Sequence, residues 1–126
     1  MGFIRKSLIF IIILASMIYG ITYAHKYGGN NMKKPEQVKN ESYDIIIDAR
    51  PRKEYHISHY SEAINIPFSK LKKKVPKKIK NKNKKILLYA QTGSRARIGS
   101  ERLQALGYNN VFYLVGDFED IETTSA

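Results

Sequence analysis

Apolar residues in this chain fall into short unbroken runs separated by polar, turn-forming stretches. Lys85-Ile86-Leu87-Leu88-Tyr89 and Tyr43-Asp44-Ile45-Ile46-Ile47-Asp48 are continuous rather than alternating, the pattern of strands covered on both faces of a parallel sheet. Ala63-Ile64-Asn65-Ile66 and Val111-Phe112-Tyr113-Leu114 complete the set, so strands are predicted over 45–48, 63–66, 86–89 and 111–114. Between the last two, Ala96, Gly99, Leu103 and Leu106 share one face at helical spacing, while Arg95, Arg97, Glu101, Arg102 and Gln104 lie mostly elsewhere. That helix is predicted to start near Ser94-Arg95 and to stop at Gly107. Pro51 pre-sets another helix start, and further helices are predicted from Ser69 and Asp117. Strand and helix alternate, which predicts an α/β class with a central, mainly parallel sheet flanked by helices.

The N-terminus follows a different pattern. Arg5-Lys6 precede Ser7 to Ala24, a segment without charge that contains Leu8-Ile9-Phe10-Ile11-Ile12-Ile13-Leu14. At ~1.5 Å per residue it spans about 27 Å as a helix, close to the ~30 Å of a hydrocarbon core. The fold is therefore expected to carry an N-terminal transmembrane helix over 7–24 behind a basic head, 1–6. A cleaved signal peptide is the competing reading, with Thr22-Tyr23-Ala24 as cleavage site before His25. Tyr19, Tyr23 and Tyr27 suit an interfacial belt and favour the anchor. A tether, 25–34, containing Gly28-Gly29-Asn30-Asn31, then leads to a domain over 35–122 and a tail, 123–126. Arg5 and Lys6 point to a cytoplasmic N-terminus, although Lys26, Lys33, Lys34 and Lys39 pull the other way. The expected location is the cell membrane, single-pass, with the domain extracytoplasmic; the alternative is secretion or release to the periplasm after cleavage.

Composition narrows the chemistry. The 126 residues contain no cysteine, which excludes disulfides and thiolate metal sites. His25, His56 and His59 are scattered and bring no further ligand partners, so neither a metal nor another cofactor is predicted. Net charge is +11, and Lys70 to Lys85 alone holds ten lysines and no acid, so the excess sits almost wholly in one segment. An anionic bilayer is the partner that a nearby membrane anchor suggests for it. Nucleic acid is disfavoured, because no arginine or aromatic residue interleaves the lysines and the chain reads as membrane-tethered. A lysine bias across the whole chain accounts for the run equally well.

The candidate chemistry lies in Tyr89-Ala90-Gln91-Thr92-Gly93-Ser94-Arg95, a loop between an apolar strand and a helix. The first N–H groups of a helix lack internal partners and carry the positive end of its dipole, so such a loop can seat an anion. Gly93 lets the backbone approach a ligand, and Arg95 adds a cation with a fork of donors. Taken alone, the same residues also fit an ordinary turn with a capping serine and a surface arginine.

The wider pattern comprises Asp48-Ala49-Arg50-Pro51, Glu54-Tyr55, His59, Ala63-Ile64-Asn65-Ile66-Pro67, the loop, and Gly107-Tyr108 through Val115-Gly116. In that order and at those spacings, from about Pro35 to Ile121, the chain resembles the rhodanese-like family. The resemblance implies the family's α/β fold, with Asp48, Arg50, Glu54, His59 and Asn65 as motif residues. In that family the loop reads Tyr-Cys-x-x-Gly-x-Arg, and the cysteine accepts a sulfane sulfur as a persulfide before passing it on. Ala90 stands at the cysteine's position. Sulfur transfer needs a thiolate, which a methyl group cannot replace. Ser94 and Thr92 have no adjacent base in the loop, and His59 matches a position at the end of the first helix. Related cell-cycle phosphatases use a loop one residue longer and the same missing cysteine.

Other departures agree with this. Ser58-His59-Tyr60-Ser61-Glu62-Ala63 stands where the family commonly has Gly-His-Ile-x-Gly-Ala, Gly116-Asp117 stands for Gly-Gly, and Ile121 for a tryptophan. The expectation is a catalytically inactive rhodanese-like module that binds a small oxyanion or a protein partner through Gln91, Thr92, Gly93, Ser94 and Arg95. The alternative is a sulfurtransferase that acts with a thiol supplied by a partner.

Overall fold

The computed structural model describes the backbone of residues 2–27 and 31–123, with side chains for 6–19 and 31–121. The chain divides into two units, 1–30 and 31–126. The first is a single helix, α1, Gly2–Tyr27. Among the described residues no helix is long and apolar enough to cross a membrane. This corrects the expected transmembrane helix and, with it, the single-pass membrane location. From Leu8 to Tyr19, where the side chains are described and the large apolar ones are exposed, the helix covers only about 18 Å at ~1.5 Å per residue. The glycine pair of the tether (28–29), the cleavage-site side chains (22–24) and the tail beyond 123 lie outside what is described.

The second unit is built on a five-stranded sheet. In chain order its elements are β1 (Met32–Lys33), α2 (Pro35–Lys39), β2 (Ile45–Asp48), α3 (Arg52–Ile57) and β3 (Ile64–Asn65). A 3₁₀ turn at Phe68–Lys70 leads into α4 (Leu71–Lys78), followed by β4 (Ile86–Tyr89), α5 (Gly93–Ala105), β5 (Val111–Leu114) and α6 (Glu119–Thr123). The strands lie in the order β1-β5-β4-β2-β3, and every pairing is parallel. Asp48 pairs in register with Tyr89 on one side and Asn65 on the other, so three polar residues meet at the carboxyl ends of adjacent strands.

Both faces of the sheet are covered, as the unbroken apolar runs require. Ile47, Ile86, Leu88 and Val111 pack under α4 and α5 with Leu71, Val75, Ala96 and Leu103. On the other face Ile46, Leu87, Tyr89 and Leu114 meet Val38 of α2 together with Phe118 and Ile121. Strand β1 had no apolar run to announce it, because it is a two-residue edge strand whose Met32 and Lys33 pair on one side only, with Tyr113 and Leu114 of β5. Helix α5 begins one residue before the predicted start, because Thr92 rather than Ser94 caps it, its Oγ1 accepting the Arg95 N–H at 3.1 Å. Gly107, at φ +100°, ends it in the left-handed conformation that glycine tolerates.

Helix α5 lies close on the sheet because Gly99 has no side chain. A Cβ there would fall 2.8 Å from Leu88 Cδ2 and 3.2 Å from Leu71 Cδ1, both in fully buried residues. We expect Gly99→Val to lower the free energy of unfolding by about 1–3 kcal/mol through overpacking, read from the urea midpoint; an unchanged midpoint would show that the helix can lift without cost.

Candidate functional site

The site is assembled where β2 and β4 end. Asp48 is 0 % exposed, and a buried carboxylate is stable only when its oxygens are satisfied. Here Oδ1 accepts the Arg50 N–H at 2.8 Å and Nε at 3.0 Å, while Oδ2 accepts Arg50 Nη2 at 2.7 Å and the Tyr89 hydroxyl at 2.8 Å. The carboxylate beside it raises the affinity of Arg50 for its proton. Burial, reinforced by Asp48, pushes the Tyr89 phenol up as well, so it remains a donor. The same phenol oxygen accepts the Tyr60 N–H at 3.0 Å. Arg50 in turn donates to the Ser58 carbonyl at 2.6 Å and lies 4.7 Å above the Phe118 ring.

Asn65 fastens the turn after β2 from the other side, its amide donating to the carbonyls of Asp48 at 3.0 Å and Arg50 at 2.9 Å. Asp48, Arg50 and Asn65 thus converge. His59 does not join them: its ring stacks on Tyr55 at 3.8 Å between centroids, and Nδ1 donates to the Tyr55 carbonyl at 2.8 Å. That places it at the exit of α3, where it pins the chain's turn toward β3.

The loop itself is tied to α3 by a row of side chains. Gln91 donates to Glu54 Oε1 at 2.7 Å, and its carbonyl oxygen accepts from Arg95 Nη1 at 3.2 Å. Arg95 also lies 5.5 Å from the Phe68 ring, turned toward the 3₁₀ segment. Gly93 permits a close approach to the end of β5, since a Cβ there would sit 3.2 Å from Val115 Cγ2. The N–H groups of Gln91, Thr92, Gly93 and Ser94 have no backbone carbonyl partner among the described residues. They therefore remain available to a ligand, in the manner of an open helix start.

A cleft of about 320 Å³ opens beside Ala90, lined also by Arg50, Glu54, Gln91, Asp117, Phe118 and Glu119. Of the five residues that the sequence put forward for ligand binding, Gln91 reaches this cleft; Thr92, Gly93, Ser94 and Arg95 lie on the helix side of the loop. Sequence reading missed the carboxylates Asp117 and Glu119 and the part played by Tyr89. The phenol's signal was present in its place at the end of β4, in register with Asp48. Among the described residues no three His, Cys, Asp or Glu side chains are grouped to hold a metal ion.

Residues 30–124 match the family model of the rhodanese-like domain. The chain belongs to the rhodanese-like family. It is 30% identical over 76 residues to the tRNA uridine(34) hydroxylase of Enterobacter sp. (strain 638), a match that covers 57% of this chain and 22% of that protein. The chain therefore spans about a fifth of the length of the curated relatives it matches. Among solved structures it resembles a rhodanese with anions from E. coli, at 30% identity and a TM-score of 0.55, covering 61% of this chain and 89% of that one. A human single-domain sulfurtransferase shares the fold at 17% identity and a TM-score of 0.66, over 78% of this chain and all of the other. In this rhodanese-like domain the catalytic cysteine of the family is replaced by Ala90, and no cysteine occurs elsewhere.

The buried carboxylate makes the site sensitive to its partners. Removing one donor with Tyr89→Phe is expected to cost about 1–3 kcal/mol of stability. Leaving the Arg50 guanidinium without its counter-charge, with Asp48→Asn, is expected to cost about 3–5 kcal/mol. Urea unfolding of the two variants tests this ranking, and a milder effect for Asp48→Asn than for Tyr89→Phe would contradict it.

Proposed function

We propose that this rhodanese-like domain is a binding module that receives a small oxyanion on the loop 90–95 and does not transfer sulfur. The observation that carries the reading is Ala90: the half-buried residue at the end of β4 presents a methyl group where a nucleophile would act. What remains of the loop favours an anion, because its N–H groups have no backbone carbonyl partner among the described residues at the start of a 13-residue helix. The E. coli rhodanese determined with anions supports the same assignment.

The surroundings limit which anion fits. Arg50 is committed to Asp48, and Glu54, Asp117 and Glu119 line the adjoining cleft. These carboxylates repel a multiply charged or extended ligand, so a compact, singly charged group is favoured. Sulfur transfer through a thiol supplied by another protein is the competing function. It draws on the sulfurtransferases and hydroxylases among the relatives rather than on a group in this loop.

Two measurements decide between them. The natural chain is expected to show no thiosulfate-to-cyanide turnover, and Ala90→Cys is expected to gain a covalently bound sulfur detectable by mass spectrometry. Turnover by the natural chain, with or without an added thiol donor, would overturn the non-catalytic reading. Titration with nitrate or bisulfite should shift the amide NMR signals of Gln91 through Ser94, and an absence of shifts there would remove the anion.

A further inference from the structure

Helix α4 turns Leu71 and Val75 into the core and leaves Lys72, Lys73, Lys74, Lys77 and Lys78 exposed. Two recesses border it. One, of about 320 Å³, is lined by Arg52, Tyr55 and His56 of α3 together with Lys70 and Lys74. The other, of about 470 Å³, is lined by Lys70, Lys73, Lys74, Lys77 and Lys78. Lys70 and Lys74 belong to both, so the two recesses form one groove, and no carboxylate lines either part. None of the groove's cations takes part in an ion pair among the described residues.

We propose that this groove binds single-stranded nucleic acid through its phosphate backbone, without preference for base sequence. The linear run of lysines lacked arginine and aromatic residues, but the fold supplies them from α3. Arg52 is held in place by its Nε–H donating to His56 Nε2 at 3.1 Å, which leaves its terminal nitrogens to meet a phosphate. Lys70, Lys74 and Lys77 recur about once per helical turn, ~5.4 Å, which suits a flexible chain of anions better than a single ion.

The cations line a recess and not a plane, so a thin strand fits where a flat bilayer does not. Tyr55 has one ring face covered by His59, which limits base stacking and leaves the contacts mainly electrostatic.

The test uses the full-length chain and a short fluorescein-labelled oligouridylate, titrated by anisotropy across a range of salt. With six cations in the groove, log K against log salt should fall with a slope of about −4, from about −0.7 per phosphate neutralised. The double variant Lys70→Gln/Lys74→Gln should weaken binding at low salt about tenfold or more and flatten the slope by about 1.4. Lys80→Gln/Lys84→Gln removes the same charge outside the groove and should stay within about twofold of the natural chain. Circular dichroism checks that both variants keep the fold. Three results would each overturn the proposal: no binding at low salt, equal weakening by the two variants, or tighter binding of phosphatidylserine vesicles or polyglutamate than of the oligonucleotide.

Discussion

The buried carboxylate of Asp48 is the constraint on which the functional end of the domain depends. It sits at the end of the inner strand β2, and its donors come from its own following turn and from the neighbouring strand β4. Satisfying one side chain thereby fixes two loops against each other. Arg50 cannot swing out as a free cation without leaving that charge unpaired, and Tyr89 cannot ionise beside it. The turn toward α3 and the loop toward α5 are consequently set before any ligand arrives.

On this platform α3 has an unusual position. It is six residues long and none of its residues is buried, yet its side chains line both clefts. Glu54 faces the loop, where it fixes Gln91, whereas Arg52, Tyr55 and His56 face the lysine groove. Opposite charge is thus segregated onto the two sides of one short helix. The acidic side gives the loop a local field of opposite sign to that of the groove.

Much of the second unit could be read from the sequence because burial on both faces writes itself as continuous apolar runs. Ile45 to Asp48 and Ile86 to Tyr89 are examples, and Ala96, Gly99 and Leu103 mark the buried face of α5. Strand β1 was hidden because two residues at an edge need no hydrophobic pattern. The N-terminal helix is a different case: the expected span over 7–24 needs about twenty apolar residues, and no helix among the described residues is long and apolar enough. At the site, the family resemblance put forward Asp48, Arg50, Asn65 and the loop, but not the direction in which each side chain points. The tie of Arg95 to Gln91 became visible only with the fold. The groove beside α4 was invisible for the same reason, since Arg52 and His56 lie far in sequence from the lysines they join.

The methyl group of Ala90 has one more consequence. A sulfur nucleophile at that point would exist in several oxidation states, and the properties of the loop would change with each of them. With alanine there, the loop has a single chemical form, indifferent to peroxide and to thiol-directed alkylation. Its chemistry is the same in reducing and oxidising surroundings.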